Sequence, residues 1–491
     1  MNQEKLSRFF FYLGIVLLIL TFILQISEHT TNVFAMAVVA FVIASWWIFE
    51  VLPLAVTALL PVAVYPVLGI LSVKETASVY MSSVLMLFIG GFFIALAMRR
   101  WNLHKRIALS IVSLFGNRPE NLISGFMVAT AILSMWISNT ATTDMMVSIA
   151  LAVIKNYEDL YEVNEKSRLF ASALMLSIAY SATIGGMATL VGTPPNIAFV
   201  RIFSLSFPEL PEVSFGQWIS FGLPMVLLIL WLAQKVIIKL MINGKGLIEI
   251  DDVVIRAEKE KLGTIKYEEK CIFFIFTTLA LAWIFRSDLN LGFVTIKGWS
   301  NLFEKPDYID DGAVAIFMAI TLFMIPAKTD PGKRKILEAG AITEIPWHTI
   351  ILFGGGFALA KGIQESGLSL FIGQKLIYLQ DINSSLIIVL LTTGMSFLTE
   401  LASNMASTEM ALPILAAIAK ATNLSPYSLM IPATLAASSA FMLPAATAPN
   451  AIIFGSERVS IKDMVKVGFW INLINIIVIS IVSIFIIPSL L

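Results

Sequence analysis

Trp136-Ile137-Ser138-Asn139-Thr140-Ala141-Thr142-Thr143 stands in the middle of an apolar stretch, about residues 120–153, that is too long for one membrane helix. A single crossing takes roughly 20 residues, and polar residues at its centre are costly in lipid unless they face protein or water. Serine, asparagine and threonine cap helices, so the triplet Ser138-Asn139-Thr140 predicts the tip of a re-entrant hairpin whose second arm begins there with free N–H groups. A second overlong stretch, 383–419, carries Ser403-Asn404-Met405 at its centre and predicts a second hairpin.

The two hairpins belong to a longer repeat. Phe88-Ile89-Gly90-Gly91-Phe92 recurs as Phe353-Gly354-Gly355-Gly356-Phe357, and Ser138-Asn139 recurs as Ser403-Asn404, both after the same step along the chain. Thr193-Pro194-Pro195-Asn196 recurs as Thr447-Ala448-Pro449-Asn450 after a slightly shorter step, because the connection after the second hairpin is shorter. Proline removes a donor and interrupts the helical ladder, so each of these breaks a helix. The order glycine patch, hairpin, broken helix occurs twice. An odd number of crossings separates the copies, which predicts an inverted repeat with a binding site between its halves at mid-membrane.

Composition agrees with a life in lipid. Of 491 residues 58% are hydrophobic and 13% charged, and the mean hydropathy is +0.87, beyond what a water-soluble domain carries. About eleven crossings are expected, near 9–26, 33–50, 52–72, 83–98, 168–200, 216–241, 271–287, 311–326, 348–362, 426–456 and 464–489. The expected class is an all-α polytopic membrane protein with two re-entrant hairpins and two broken helices. The run Phe9–Ile26 ends in Ser27-Glu28-His29-Thr30 without a small-residue cleavage pattern and reads as the first membrane helix. With the N-terminus in the cytoplasm, the basic segments Arg99 to Arg106, Lys235 to Lys270, Lys328 to Lys335 and Arg458 to Lys466 all fall inside. That predicts a multi-pass protein of the cell (inner) membrane. A charged loop at about 242–270, with Asp251-Asp252 and Glu258-Lys259-Glu260-Lys261, reads as a solvated cytoplasmic linker.

Several classes are excluded. Basic and acidic side chains both number 33, so no basic excess supports nucleic-acid binding. One cysteine, Cys271, allows no internal disulfide, and His29, His104 and His348 stand far apart, so neither a metal centre nor a cofactor is expected. No His-Glu-x-x-His or Gly-x-Ser-x-Gly supports an intramembrane enzyme. Paired broken helices suit alternating access better than a fixed pore.

The chemistry lies in the helix ends. N–H groups and dipoles at the Ser138-Asn139-Thr140 and Ser403-Asn404 tips and at the two breaks bind carboxylates without any lysine or arginine. Unwound carbonyls and hydroxyls there suit sodium. An anion held this way needs a cation nearby, because an unpaired buried charge is costly, which argues for cation coupling. Taken singly, such residues are more often interhelical hydrogen bonds or kinks; two copies of both in one order favour a site. The glycine patches are read as helix packing.

At these residues the chain resembles the divalent anion/sodium symporter family. The resemblance runs through nearly the whole chain and is carried by Trp46-Trp47-Ile48-Phe49-Glu50-Val51-Leu52-Pro53, by 136–143, by Ile184-Gly185-Gly186-Met187-Ala188-Thr189, by Gly192-Thr193-Pro194-Pro195-Asn196 and by Ala440-Phe441-Met442-Leu443-Pro444. It implies a homodimer in the bilayer that takes up C4-type dicarboxylates (succinate, malate, fumarate) with sodium, a transport domain moving like an elevator past a fixed scaffold. On that pattern 1–115 and 271–380 are scaffold, 116–241 and 381–491 are transport parts, and 242–270 links them. It implies a dicarboxylate on Ser138, Asn139, Thr140, Thr193, Pro194, Ser403, Asn404 and Thr447. One sodium is expected among Ser134, Ser138, Asn139 and the carbonyl of Gly192, the other among Thr399, Asn404 and the carbonyls of Ala402 and Ala446. Independently of the family, Ser134 and Thr399 are related by the same step as the two tips, so each half has a hydroxyl at the same place before its tip asparagine.

Met405 and Ala448 depart from the family pattern and leave the second half one hydroxyl poorer. Asp144 and Glu409, related by that step again, put an acid beyond each tip and are expected to act in cation coupling or as supporting hydrogen-bond groups. The alternatives on the same fold are a sodium-independent dicarboxylate exchanger or a citrate or sulfate carrier.

Overall fold

The structure, a computed structural model, describes residues 3–27, 31–161, 164–242, 253–290, 294–376, 381–422 and 424–490. His29 and the pair Asp251-Asp252 lie outside them. The described residues are almost wholly helical, as the composition demands, apart from a two-residue antiparallel pairing of Leu289–Asn290 with Thr295–Ile296.

The first part comprises α1 (Gln3–Ile26), α2 (Asn32–Ile48), α3 (Leu54–Thr57), α4 (Leu60–Val67), α5 (Val73–Ser78), α6 (Ser83–Arg100) and α7 (Leu103–Val112). A hairpin follows, α8 (Pro119–Ser134) and α9 (Asn139–Tyr161), then a divided helix, α10 (Glu165–Gly186) and α11 (Pro194–Ser206), then α12 (Phe215–Ile237). After α13 (Val253–Lys261), α14 (Tyr267–Ile284) and α15 (Asp311–Met324), the series recurs. It runs through α16 (Trp347–Glu365), α17 (Leu368–Lys375), hairpin α18 (Ser384–Leu401) and α19 (Asn404–Ala421), divided helix α20 (Pro426–Ala437) and α21 (Ala448–Gly455), and finally α22 (Ile461–Ile481) and α23 (Ile487–Leu490). The order of α6 to α12 is thus the order of α16 to α22.

Both overlong stretches turn at the residues singled out by their polarity. The first arm ends at Ser134 and the second starts at Asn139, where the Ser138 hydroxyl accepts from Ala141 N at 3.3 Å. In the second hairpin α18 ends at Leu401 and Ser403 precedes α19 without a side-chain capping bond. The divided helices open over 187–193 and 438–447, and both restart with proline in their first turn.

Two expectations are adjusted. The segment 52–72 is divided into α3 and α4, because Pro61 in the first turn of α4 has no N–H to continue the ladder from α3. The loop 242–270 is not merely solvated: α13 lies on α7, with Ile255 buried and Glu258 accepting from Lys105 at 2.7 Å. Six helices among the described residues are long and apolar enough to cross a membrane. In α1, Phe9, Tyr12, Val16 and Ile23 are all exposed, a stripe that water does not tolerate and lipid does.

Glycines set the closest helix contacts. A Cβ on Gly90 would fall 2.5 Å from that of Ala315 in α15, and one on Gly355 equally close to Ala58. The packing role expected for the glycine patches is therefore real at these two positions.

Candidate functional site

Four helix N-termini meet at one cavity of about 480 Å³. Its lining takes Ser138, Asn139 and Thr140 from the start of α9, Thr193, Pro194 and Pro195 from α11, Ser403, Asn404 and Met405 from α19, and Thr447, Ala448 and Pro449 from α21. Each terminus presents backbone N–H groups without intrahelical partners and the positive end of a dipole. Together they favour an anion although, among the described residues, no lysine or arginine lines the cavity. Thr447 caps its own helix by accepting from Asn450 N at 3.3 Å, whereas Thr193 makes no capping bond.

The divided helices are held open by matched amides. Asn196 Nδ2 donates to Thr189 O at 2.8 Å and to Gly186 O at 3.4 Å, and Asn450 Nδ2 donates to Leu443 O at 3.0 Å and to Ala440 O at 3.2 Å. The acceptors in the second set are the repeat counterparts of those in the first. Each asparagine thus takes up carbonyls that the interrupted ladder leaves without a donor.

Behind each hairpin tip a hydroxyl meets the tip asparagine. Ser134 Oγ lies 2.5 Å from the Asn139 side chain, and Thr399 Oγ1 lies 2.6 Å from both Asn404 Oδ1 and Ala437 O, with one proton to share between them. The end of the Asn139 amide that faces Ser134 also lies 3.2 Å from both Gly192 O and Ala182 O. With nitrogen on that side the two N–H groups of the amide face these three oxygens; with oxygen there, four oxygens converge, a donor set that suits a hard cation such as sodium. Close approach requires glycine: a Cβ on Gly186 would fall 2.6 Å from Asn139 Oδ1, and one on Gly192 would collide with Gly186 O.

All eight residues expected on the dicarboxylate therefore line one cavity, joined by Gly192 and Ala446. Ser134 and Thr399 sit buried just behind it, and Ala402 ends α18 without lining it. Asp144 and Glu409 do not line it, and their symmetry in sequence is lost in space: Asp144 is exposed and Glu409 fully buried.

Two residues escaped the sequence reading. Glu400 is buried and accepts from Phe441 N, Met442 N and Leu443 N at 2.6–3.1 Å and from Asn472 Nδ2 at 2.8 Å, tying the second hairpin to the unwound segment and to α22. Its signal was an acid beside Thr399 in an apolar stretch. His348, with Pro346 and Thr349 at the start of α16, lines the cavity opposite the tips and is, among the described residues, the one titratable side chain in its lining. No motif marks it.

The family model described as the sodium:sulfate symporter transmembrane region matches residues 3–489. The chain is 40% identical over 492 residues to the sodium-dependent dicarboxylate transporter SdcS of Staphylococcus saprophyticus, covering 98% of this chain and 91% of the relative. It is 42% identical over 460 residues to SdcS of Staphylococcus aureus, covering 91% and 85%. Among solved structures, the YdaH transporter of Alcanivorax borkumensis superposes with a TM-score of 0.50 at 12% identity over 82% of this chain and 86% of that one. MtrF of Neisseria gonorrhoeae, whose description places it in a class of antimetabolite efflux pumps, gives 0.54 at 10% identity over 83% of each. At such identities these two speak to the fold alone.

Proposed function

Since the chain belongs to the family of the sodium:sulfate symporter transmembrane region, and is with it a multi-pass membrane transporter rather than an enzyme, we propose that it takes up dicarboxylates together with sodium. The observation that carries this reading is the convergence of four helix N-termini on one cavity with, among the described residues, no lysine or arginine in its lining. A dianion bound there by N–H groups and dipoles alone keeps most of its charge uncompensated, and cations behind the tips offset it. The printed names of the relatives, sodium-dependent dicarboxylate transporters, support the same reading.

The dicarboxylate lies between the tips, one carboxylate on Ser138, Asn139, Thr140, Thr193 and Pro194, the other on Ser403, Asn404 and Thr447. One sodium is bound by Ser134, Ser138, Asn139 and Gly192 O, the other by Thr399, Asn404, Ala402 O and Ala446 O. Two tips, one for each carboxylate, suit a short dicarboxylate, and succinate, malate and fumarate are the substrates proposed. The segments 116–241 and 381–491 move as the transport part past 1–115 and 271–380, and two copies of the chain form the working unit in the cell membrane.

The N-terminus is cytoplasmic in this reading, which puts the Arg99-Arg100 end of α6 and the start of α16 on the inner side. The cavity is bordered by Phe92 and Ala95 of α6 and by His348 at the start of α16.

Uptake of labelled succinate by proteoliposomes tests the reading. Accumulation under an inward sodium gradient, and its loss when sodium is replaced by choline, is expected. Equal uptake in both media would replace symport by sodium-independent exchange.

A further inference from the structure

Glu409 lies on α19 just over one turn beyond Asn404, yet it does not face the cavity. It is fully buried, and among the described residues no protein group hydrogen-bonds either carboxyl oxygen. The carboxyl fills the space where α16 lacks a side chain: a Cβ on Gly356 would collide with both its Cδ and its Oε2. It therefore points at α16, whereas the Asn404 side chain of the same helix turns to Thr399.

No charged group compensates it among the described residues. On the helices packed against α19, Arg201 of α11 faces Glu212, Lys375 of α17 lies over Phe371, Glu400 of α18 accepts its four donors, and Tyr427 of α20 donates to Pro211 O. Helix α2 carries no titratable side chain. On α16 itself His348 lines the cavity, Lys361 faces Glu75 and Glu365 is exposed, and on α19 Lys420 lies over Phe207. Tyr80, whose ring rests against Gly354 and whose hydroxyl donates to Ala58 O, is the titratable group within the field of Glu409.

An ionised carboxylate without donors in such a place costs far more than a fold tolerates, and the group takes up a proton instead. The contact is also at a boundary: α19 belongs to the part proposed to move and α16 to the part proposed to stay. We infer that Glu409 is a proton-binding site, occupied where α19 crosses α16 at Gly356, and that loss of this proton arrests the sliding of the second hairpin. The proton is taken from water and returned to it. An ionised Glu409 cannot be carried along the apolar face of α16, and so transport stops at alkaline pH. This arrest rests on the moving-hairpin reading given above.

Infrared spectra of the purified protein test the proton directly and need no substrate. Near neutral pH the wild type minus Glu409→Gln difference is expected to contain the carbonyl band of a protonated carboxylic acid, and a difference without it overturns the inference. Proteoliposome uptake of succinate in saturating sodium tests the consequence. Wild-type uptake is expected to decline as pH rises above neutral, and Glu409→Gln to keep its neutral-pH rate through the same range. Profiles of the same shape overturn the arrest. Comparing both proteins at each pH removes the titration of succinate and of His348. Should Glu409→Gln misfold, Glu409→Ala removes the carboxyl without the bulk and carries the same two expectations. A wild type that takes up no succinate at neutral pH overturns the transport reading, and with it the arrest, whereas the infrared band still decides whether Glu409 holds the proton.

Discussion

Asn139 and Asn404 each do two things: the side chain meets a buried hydroxyl behind the tip, and the residue lines the cavity in front of it. Asn139→Ala and Asn404→Ala are therefore expected to abolish the proposed sodium-driven succinate uptake while expression and thermal stability stay near wild type, because each removes a group that the proposed site shares between substrate and sodium without opening a core cavity. Wild-type uptake in either variant would move the site elsewhere. Met405 lines the cavity where the first half has Thr140. Met405→Thr restores a hydroxyl and should tighten succinate by about 1 kcal/mol, the net worth of one hydrogen bond, read as a lowered half-saturation concentration. These residues were legible because a serine or asparagine in the middle of an apolar stretch has few other reasons to be there, and because the internal repeat marked it twice. His348 was not legible, since it reaches the cavity through the packing of α16 and not through any local pattern. The different fates of Asp144 and Glu409 were hidden for the same reason: burial of a helix face is decided by the neighbours it meets.

At the scale of elements, hairpins and divided helices are stable only when their open ends are satisfied. Asn196 and Asn450 do this within their own segments, and the sequence announced them by the repeated Thr-x-Pro-Asn. Glu400 does it between segments, which no sequence spacing reveals: it lies 41–43 residues from the amides it accepts. Replacing it by glutamine leaves one acceptor oxygen where two served. Glu400→Gln should cost roughly 1.5–3 kcal/mol, the worth of one hydrogen bond to a charged group, seen as a lower melting temperature in detergent. It should also weaken sodium dependence, because Ala446 follows closely on the amides held. Normal stability and normal sodium response would show that the unwound segment holds its shape alone. Element boundaries were less legible than element order: α3 and α4 are two helices because Pro61 interrupts the ladder between them, and α13 packs on α7 through the buried Ile255 and the Glu258–Lys105 pair in a charged stretch.

In the whole molecule, a polar contact among the described residues joins the two proposed parts. Asp311, at the start of α15, pairs with Arg286, accepts from Phe215 N of α12 at 3.3 Å, and through its carbonyl takes Trp283 Nε1 at 2.9 Å. Both side chains of the ion pair are largely buried. Asp311→Ala removes the paired carboxylate of the guanidinium, leaving it the field of Glu212, and should lower stability by roughly 3 kcal/mol, the low end for a broken buried pair, checked by thermal unfolding of the purified protein. A shift within the scatter of surface substitutions would mean that Arg286 finds another partner. The overall class was legible from hydropathy and the repeat, because lipid allows so few backbone solutions. The three-dimensional meeting of the four helix ends rests on contacts between segments from opposite halves of the chain.

Dicarboxylate and sodium are proposed to be bound together by paired hairpin tips, and binding to the purified protein tests this without any vesicle. Binding linkage is reciprocal. Succinate is therefore expected to bind tightly in sodium and at least about tenfold more weakly in choline, within the usual range of coupling between sites. Sodium should gain the same factor from succinate, and Ser134→Ala and Thr399→Ala should each diminish it. Equal succinate affinity in sodium and in choline would contradict the account.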